Sequence, residues 1–405
     1  MGRVLWFGAA VVLLALVLAR AAVTAPPATP GVTATRILIG STGPLTGETA
    51  SSSGFLRGAS AYFRYVNAHG GVFGRQIQFA YLDDASSTQR AAANAQRLIA
   101  DDGVFALFSV VGTNSNLAVR PVANGARVPQ VFSASGATTL GSDYARYPWT
   151  IGYLPTYAGE GAVYGRHILA RRTAKTKVAV LYQSDPYGWD LLRGLRTGLG
   201  ASAGKLIARA LGYDPTSANV KAQIDRLEAS GATTLCIFAS GKFAIQAFVY
   251  ADKLDWHPQI YVNDVAAASS IMRLNPADTA DGAISILWAK DPTTPSFTND
   301  AGIRLAGRIV KAFLPGGSTS DSFVVAGMAE AYSLVDALRT AGRSLTRAGL
   351  MTAVTHMDET TNPFLAPGIV VQTTPTARFP ITQVRLQRWH HGHWVPFGPL
   401  LAAAP

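Results

Sequence analysis

Short apolar runs alternate with amphipathic stretches along this chain, and the alternation limits the folds that it can adopt. From Arg36 onward, strand-like runs such as 104–109 and 128–133 are followed by stretches with apolar residues at helical spacing. A second series of the same kind begins after Tyr157. Strands that alternate with helices predict parallel sheets with right-handed crossover connections, so we predict an α/β fold.

The composition indicates a packed globular protein of more than one domain. The chain has 405 residues, of which 48% are hydrophobic and 15% charged. Cys236 is the only cysteine, so an internal disulfide is excluded and the core must hold without one. The net charge is +11, but the basic residues are scattered and no aromatic residues are interleaved with them. We therefore expect no nucleic-acid partner.

The first residues have the composition of a secretory signal. Arg3 precedes an apolar run over 5–18, and Ala19-Arg20-Ala21 is a small-x-small sequence suited to cleavage. The sequence predicts a signal peptide over 1–21, cleaved near Ala21, and a flexible spacer over 22–35. An apolar run of this length is short for a membrane span, although an uncleaved anchor is the alternative. Because no cysteine lies near the junction, there is no lipoprotein attachment site, and we expect a soluble periplasmic protein.

Motifs of the common catalytic classes are absent from the sequence. There is no Walker motif, no G-x-S-x-G elbow and no H-E-x-x-H, and Cys236 lies in a predicted core strand. His390, His391 and His393 could bind a metal in principle, but no cysteine or acidic residue is close to them in sequence. We therefore predict that the chain is not an enzyme and that it uses no cofactor and no metal.

Several motifs, taken in order, resemble one known family. Residues 39–47 (IGSTGPLTG), 66–75 (VNAHGGVFGR), 112–115 (GTNS) and 133–138 (SASGAT) resemble, in order and spacing, the branched-chain amino-acid/amide group of periplasmic solute-binding proteins of ABC transporters. The similarity runs from about Arg36 to Phe397. It implies the type I periplasmic binding protein fold, which has two Rossmann-like lobes with parallel central sheets joined by three crossover strands.

The resemblance also divides the chain. Lobe 1 is expected to comprise 36–153 and 289–360, and lobe 2 to comprise 154–288 and 361–401. The crossovers are expected near 152–156, 284–288 and 361–365. Ligands of parallel α/β sheets lie beyond the carboxyl ends of the strands, so the ligand should occupy the cleft between the lobes.

Two loops of lobe 1 have the composition of a carboxylate site. Each follows a predicted strand and precedes a helix, where backbone N–H groups and the helix dipole favour an anion. The predicted ligand residues are Gly112, Thr113, Asn114 and Ser115 in the first loop and Ser133, Ala134, Ser135 and Gly136 in the second. The alternative is that both loops are ordinary turns and helix caps.

The resemblance places further ligand residues in lobe 2. Tyr187 matches an aromatic residue that covers the ligand, and Asp264 falls close to an acidic position that receives an α-ammonium group. Tyr157 and Ser240 are placed by an approximate match. For Asp264 the alternative is a cap of the following helix.

The function implied is capture of a small amino acid or a related carboxylate or amide between two closing lobes, with delivery to the membrane subunits of an ABC permease. Two alternatives stay open. The ligand could be an aromatic carboxylate, since Tyr153, Tyr157 and Tyr187 permit stacking. The chain could also be a ligand-sensing receptor or regulator built on the same fold. The family expectation is a monomer.

Overall fold

Two sheets organise the chain, and each consists largely of parallel strands. The computed structural model describes residues 29–47 and 49–405, so the predicted signal peptide and the first part of the spacer lie outside the described residues. The first sheet has five strands in the order β2-β1-β3-β4-β5, and the second has seven in the order β14-β13-β10-β9-β8-β6-β7. The predicted α/β fold with two parallel sheets is confirmed. We call the first sheet and its helices lobe 1, and the second sheet and its helices lobe 2.

The elements of the first series follow the predicted alternation. They are β1 (Arg36–Gly43), α1 (Gly54–Ala68), β2 (Gln76–Asp83), α2 (Thr88–Ala100), β3 (Ala106–Phe108), α3 (Thr113–Gly125), β4 (Gln130–Ser133), α4 (Thr139–Ser142) and β5 (Thr150–Gly152).

The second series builds most of lobe 2. Its elements are α5 (Tyr157–Arg171), β6 (Val178–Gln183), α6 (Pro186–Leu199), α7 (Ala203–Leu206), β7 (Ile207–Tyr213), α8 (Lys221–Glu228), β8 (Thr234–Phe238), α9 (Gly241–Lys253), β9 (Gln259–Val262), α10 (Ser269–Met272), α11 (Ala277–Ala280) and β10 (Ile284–Leu287). Cys236 is buried in β8, as predicted, and burial raises the pKa of its thiol.

The remaining elements return to both lobes. They are α12 (Ala301–Phe313), α13 (Ser322–Thr340), α14 (Arg347–Val354), β11 (Asp358–Glu359), β12 (Val371–Gln372), β13 (Gln383–His390) and β14 (His393–Ala402). In the described part of the chain no helix has both the length and the apolar character needed to cross a membrane.

The two sheets repeat one strand order. The strand order in lobe 1 is β2-β1-β3-β4-β5. Lobe 2 has the equivalent order, β7-β6-β8-β9-β10, and the antiparallel strands β13 and β14 are added at its edge. In this order the connections leave the first strand in opposite directions, which opens a crevice at the carboxyl ends of the central strands. The crevices lie between β1 and β3 in lobe 1 and between β6 and β8 in lobe 2.

The segments that join the lobes run side by side. The backbone N–H of Lys290 donates to the carbonyl of Phe364 at 2.9 Å, and that of Ala366 donates to Trp288 at 2.8 Å. The chain then returns to lobe 1, where β12 pairs with β11, and it joins the sheet of lobe 2 only at Gln383. The predicted division assigned 361–401 to lobe 2. The lobe boundaries themselves stay a prediction.

Glycines let α5 and α6 pack backbone against backbone in lobe 2. A Cβ atom at Gly194 would lie 2.1 Å from the carbonyl oxygen of Ala158, and one at Gly198 would lie 2.2 Å from that of Ala162. Real Cβ contacts do not come this close, so a side chain at either position would push the helices apart. The glycines of α5 that make the reciprocal approach are Gly161 and Gly165.

The same arrangement joins α1 and α13 in lobe 1. A Cβ atom at Gly58 would lie 2.0 Å from the carbonyl oxygen of Val324, and one at Gly327 would lie 2.0 Å from that of Phe55. Both helix pairs are therefore held at a distance that only glycine permits.

We expect Gly194→Ala to lower the free energy of unfolding by about 1–3 kcal/mol, because the added methyl group overpacks the α5–α6 contact. Gly307→Ala in α12 is the matched control, since a Cβ atom there meets nothing within 4 Å. The free energy of unfolding of that variant should rise by up to about 1 kcal/mol, because alanine has a higher helix propensity than glycine. Urea unfolding followed by circular dichroism measures both. Equal stability of the two variants would contradict the overpacking argument.

Candidate functional site

A cleft of about 730 Å³ lies between the two lobes. Its lining includes the loops that follow β1 and β3 in lobe 1 and β6 and β8 in lobe 2. These are the strands at which the strand order reverses, so the cleft is formed where the two crevices face each other. Predicted ligand residues that line it are Gly112, Thr113, Asn114, Ser115, Tyr157, Tyr187 and Ser240.

The floor of the cleft in lobe 1 is the amino end of α3. The helix begins at Thr113, and Gly112 stands at its N-cap with φ 91° and no side-chain cap. A positive φ favours glycine, and the absence of a Cβ leaves the approach to the helix end open. An uncapped helix end of this kind presents N–H groups and a partial positive charge to the cleft.

Hydroxyl groups surround this helix end. The Oγ1 atom of Thr113 lies 2.9 Å from Oγ of Ser135, within hydrogen-bond distance. The side chain of Tyr157 lies close to both residues. Burial raises the pKa of Tyr157 to about 12, so this hydroxyl is protonated at neutral pH and can donate a hydrogen bond.

Aromatic rings form the wall of the cleft in lobe 2. The rings of Tyr157 and Tyr187 meet edge to face with centroids 4.9 Å apart, a favourable arrangement. The Tyr187 hydroxyl donates to the carbonyl of Ala239 at 3.0 Å. Burial also raises the pKa of Tyr187 well above its ordinary value, so this wall carries no charge.

The one acidic side chain among the described residues lining the cleft, Asp185, is fully engaged. It is the N-cap of α6, and its Oδ1 accepts from the backbone N–H of Tyr187 and Gly188. Its Oδ2 accepts from Gln183 at 2.6 Å and from Asn114 at 2.9 Å. The carboxylate therefore satisfies the positive end of α6 and is occupied by donors of the protein.

A second uncapped helix end lies across the cleft from α3. Ser240 is the N-cap of α9 and makes no side-chain cap. Its backbone N–H donates to the Tyr213 hydroxyl at 3.1 Å. Lys242, in the first turn of α9, also lines the cleft. Each lobe thus contributes one helix amino end without a carboxylate cap.

The lobes also contact each other directly. Nδ2 of Asn114 in lobe 1 donates to Asp185 in lobe 2 across the cleft. Nearby, the backbone N–H and the hydroxyl of Thr138 donate to Oδ2 of Asp190 on α6, at 2.8 and 2.7 Å. These bonds link the loops of lobe 1 to the helix that follows β6.

Four predicted ligand residues lie behind the cleft and do not line it. Ser133, Ala134, Ser135 and Gly136 are buried. Ser135 holds Thr113, and the carbonyl of Gly136 accepts from the backbone N–H of Tyr157 at 2.7 Å. A Cβ atom at Gly136 would lie 2.4 Å from the carbonyl oxygen of Pro155. The small residues of this loop therefore allow it to pack against the cleft lining from behind.

Asp264 does not line the cleft. Its Oδ2 accepts from the indole N–H of Trp288 at 2.8 Å, and its backbone N–H donates to Glu160 at 2.7 Å. It borders a separate cavity of about 50 Å³ beside the crossover segments. Its carboxylate is thus bonded within lobe 2 and is not presented to a solute in the cleft.

Other residues line the cleft that the sequence did not predict. In lobe 1 these residues are Pro44, Thr49, Ser51, Ser52, Ser86 and Val111, and in lobe 2 they are Gln183, Asp185, Gly241, Lys242, Ile245, Gln246, Val265, Ser270, Ile271 and Leu274. Asp185-Pro186 has the composition of a helix start, which could have identified Asp185. The apolar lining residues carry no such signal.

Glu160 is a buried acid next to this site. Its Oε1 accepts from the Tyr164 hydroxyl and from the backbone N–H of Asp264, both at 2.7 Å. Burial, and then the nearby Asp264 carboxylate, raise the pKa of Glu160 from 4.5 to about 8. The folded protein therefore keeps a proton that the unfolded chain releases between these pH values. Its free energy of unfolding falls as the pH rises through this window.

We expect Glu160→Gln to reduce the fall in the free energy of unfolding with rising pH. Glutamine keeps an acceptor for both donors and does not ionise. One unit of pKa displacement corresponds to about 1.4 kcal/mol, so the variant should gain at least about 1 kcal/mol on the wild type between pH 5 and pH 8. Urea unfolding at several pH values measures this difference. Glu228→Gln at the end of α8 is the control. Parallel pH profiles for wild type and Glu160→Gln would refute the role assigned to Glu160.

Comparison with known proteins places the chain in a family. A family model described as "Periplasmic binding protein" matches residues 36–393. An amino acid binding protein of Pseudomonas aeruginosa is 29% identical over 200 residues, which cover 48% of this chain and 52% of the relative. The match thus spans about half the length of that curated relative.

Solved structures share the fold. A substrate-binding periplasmic protein from Ralstonia solanacearum superposes with a TM-score of 0.80 at 24% identity, covering 89% of this chain and 100% of the other. A solute-binding protein of an R. palustris ABC transporter, in complex with 4-hydroxybenzoate, gives a TM-score of 0.74 at 19% identity, covering 91% and 98%. The predicted two-lobe fold is therefore confirmed.

These proteins are described as binding proteins, so the prediction that the chain is not an enzyme is confirmed. The family model covers most of the chain, with the cleft inside the matched range. This chain belongs to the periplasmic binding protein family, as its resemblance indicated.

Proposed function

We propose that this protein captures a small organic carboxylate in the cleft between its lobes and delivers it to the membrane subunits of an ABC permease. The observation that carries the proposal is the pair of uncapped helix ends, α3 from lobe 1 and α9 from lobe 2, at one cleft. Backbone N–H groups and helix dipoles from both sides favour a negatively charged group. The hydroxyls of Thr113 and Tyr157 add donors at the same place.

We further propose that the preferred solute carries no α-ammonium group. A zwitterionic amino acid needs an acceptor for its ammonium group, and an unpaired buried charge is costly. Asp185 is occupied by four donors of the protein, and Asp264 is bonded to Trp288 outside the cleft. The apolar residues Ile245 and Ile271, with the two tyrosine rings, suit an aromatic or aliphatic body.

Closure of the lobes is the mechanism that we infer. A solute that touches both lobes binds the closed state more tightly and shifts the population toward it. The bond between Asn114 and Asp185 is a contact of that kind already present between the lobes. We propose that the protein acts as a monomer in the periplasm, after removal of the predicted signal peptide. Both proposals rest on the family and on the composition of the first residues.

A matched ligand series tests the preference for a carboxylate. Phenylacetate, phenylacetamide and phenylglycine share one ring and differ in the acid and the amine, as do isocaproate, isocaproamide and leucine. We expect the amine-free acids to raise the melting temperature most. At a hundredfold excess over Kd a ligand adds about 2.7 kcal/mol of stability. Thermal shift followed by calorimetric titration measures the order.

The outcomes of this series separate the two parts of the proposal. If leucine or phenylglycine binds more tightly than its amine-free partner, the cleft takes amino acids and the preference against ammonium is wrong. If amides bind as well as acids, the anion site itself is wrong. If no member of a wide panel of acids, amides and amino acids binds, capture of a small carboxylate is overturned.

Two substitutions test the assignment of residues. We expect Thr113→Val to weaken binding of the preferred acid about tenfold, because a hydroxyl donor at the helix end is lost. Asp264→Asn should change the affinity less than about twofold, because that side chain bonds Trp288. Calorimetric titration measures both affinities, and Thr197→Val on the exposed face of α6 is the control. A larger loss for Asp264→Asn than for Thr113→Val would restore Asp264 to the ligand site.

A further inference from the structure

A group of metal-ligating side chains lies at the opposite end of lobe 2 from the cleft. The hairpin of β13 and β14 turns at His391 and Gly392, and its tip lies beside Asp281, which precedes β10. Asp281, His390 and His391 each bring one ligand atom to within 4.8 Å of the others. The acidic partner that the histidines lack in sequence is thus supplied by a residue more than a hundred positions earlier.

The geometry points to a site for a divalent transition metal, and we propose that Asp281, His390 and His391 bind Zn²⁺. Oδ1 of Asp281 lies 3.4 Å from Nδ1 of His390. Two ligand atoms of a tetrahedral Zn²⁺ site are separated by about 3.3–3.6 Å when each bond is about 2.0–2.2 Å long. This pair already has the required spacing, and the rings of His390 and His391 lie with centroids 3.9 Å apart and planes tilted by 39°.

The third ligand is also close to the other two. All three side chains are exposed, and one ligand atom of His391 lies within 4.8 Å of those of Asp281 and His390. Three protein ligands leave a coordination position for water, as in open zinc sites. The two imidazole ligands favour Zn²⁺ or Cu²⁺ over Mg²⁺ and Ca²⁺.

The backbone of the turn holds the histidines together. His391 has φ 47° and Gly392 has φ 83°, the conformation of a two-residue hairpin turn that favours Asn or Gly at the first position. The backbone N–H of His391 donates to Oδ1 of Asp281 at 3.0 Å, which fixes the turn against the loop before β10.

The charges around the cluster set its affinity. Arg273 lies nearby, with its Nε donating to the carbonyl of Gly392 at 3.2 Å. Arg388 is two residues before His390 in β13, and its guanidinium lies over the ring of Phe397. These cations weaken the attraction for a metal, so the carboxylate of Asp281 is the essential negative ligand.

Binding of Zn²⁺ to the purified chain, free of any polyhistidine tag and without solute, tests the proposal. We expect saturable binding in calorimetric titration and a rise in melting temperature that EDTA reverses. His390→Ala should weaken binding at least about tenfold. His257→Ala is the matched control, because His257 is an exposed histidine that pairs with Asp255 alone, at 3.0 Å, among the described residues.

His391→Gly distinguishes a metal-ligand role of His391 from a purely structural role in the turn. Glycine suits the positive φ, so we expect this variant to be more stable than the wild type without metal and to bind Zn²⁺ at least about tenfold more weakly. Absence of saturable Zn²⁺ binding to the wild type, or full affinity in His390→Ala and His391→Gly, would overturn the site. Because none of the three residues lines the cleft, Zn²⁺ affinity should be the same with and without a bound solute. The test therefore succeeds or fails independently of the proposed solute.

Discussion

The carboxyl ends of the parallel strands in both sheets point into one cleft, and the binding site depends on this arrangement. In each lobe the connections diverge at the first strand, which leaves a crevice that no helix covers. The helices that follow β3 and β8 therefore begin at the cleft and direct their amino ends into it. Positive potential at the site follows from the topology before any charged side chain is considered.

Side chains then distinguish the helix ends that the topology brings together. The amino end of α6 also faces the cleft, but Asp185 caps it with a carboxylate from the chain itself. The ends of α3 and α9 have no such cap. Because each lobe retains one uncapped end, an anionic solute can interact with both lobes at once. In the proposed function, interaction with both lobes would make closure respond to the solute.

The sequence predicted the fold better than the orientation of individual side chains. Alternation of apolar and amphipathic stretches predicted the parallel sheets, because burial on both faces makes strands such as β8 continuously apolar. The edge strand β7 is partly exposed and was not predicted. Loop composition found the Gly112–Ser115 segment, where the helix end itself is the functional feature. Loop composition could not distinguish Thr113, which lines the cleft, from Ser135, which lies behind it. Both are hydroxyl residues of such loops, and their side chains lie within hydrogen-bond distance of each other.

Contacts between side chains that are far apart in the chain could not be predicted from the sequence. Asp264 follows a strand as expected, yet Trp288 from a crossover segment takes its carboxylate. Asp281 reaches the histidine turn only because β10 and β13 are neighbours in the sheet.

The crossover segments connect the buried polar groups to the motion of the lobes. Trp288 bonds Asp264 and lies in the segment that pairs with residues 364–366. In the first crossover, the Tyr153 hydroxyl bonds the carbonyl of Ala329 at 3.1 Å and lies 2.8 Å from the Ser333 hydroxyl on α13. Both crossovers are thus tied to the interior of a lobe by directed hydrogen bonds, and buried polar groups are costly to leave unpaired. If the lobes close as we propose, the short backbone between these anchors is where one lobe would rotate against the other.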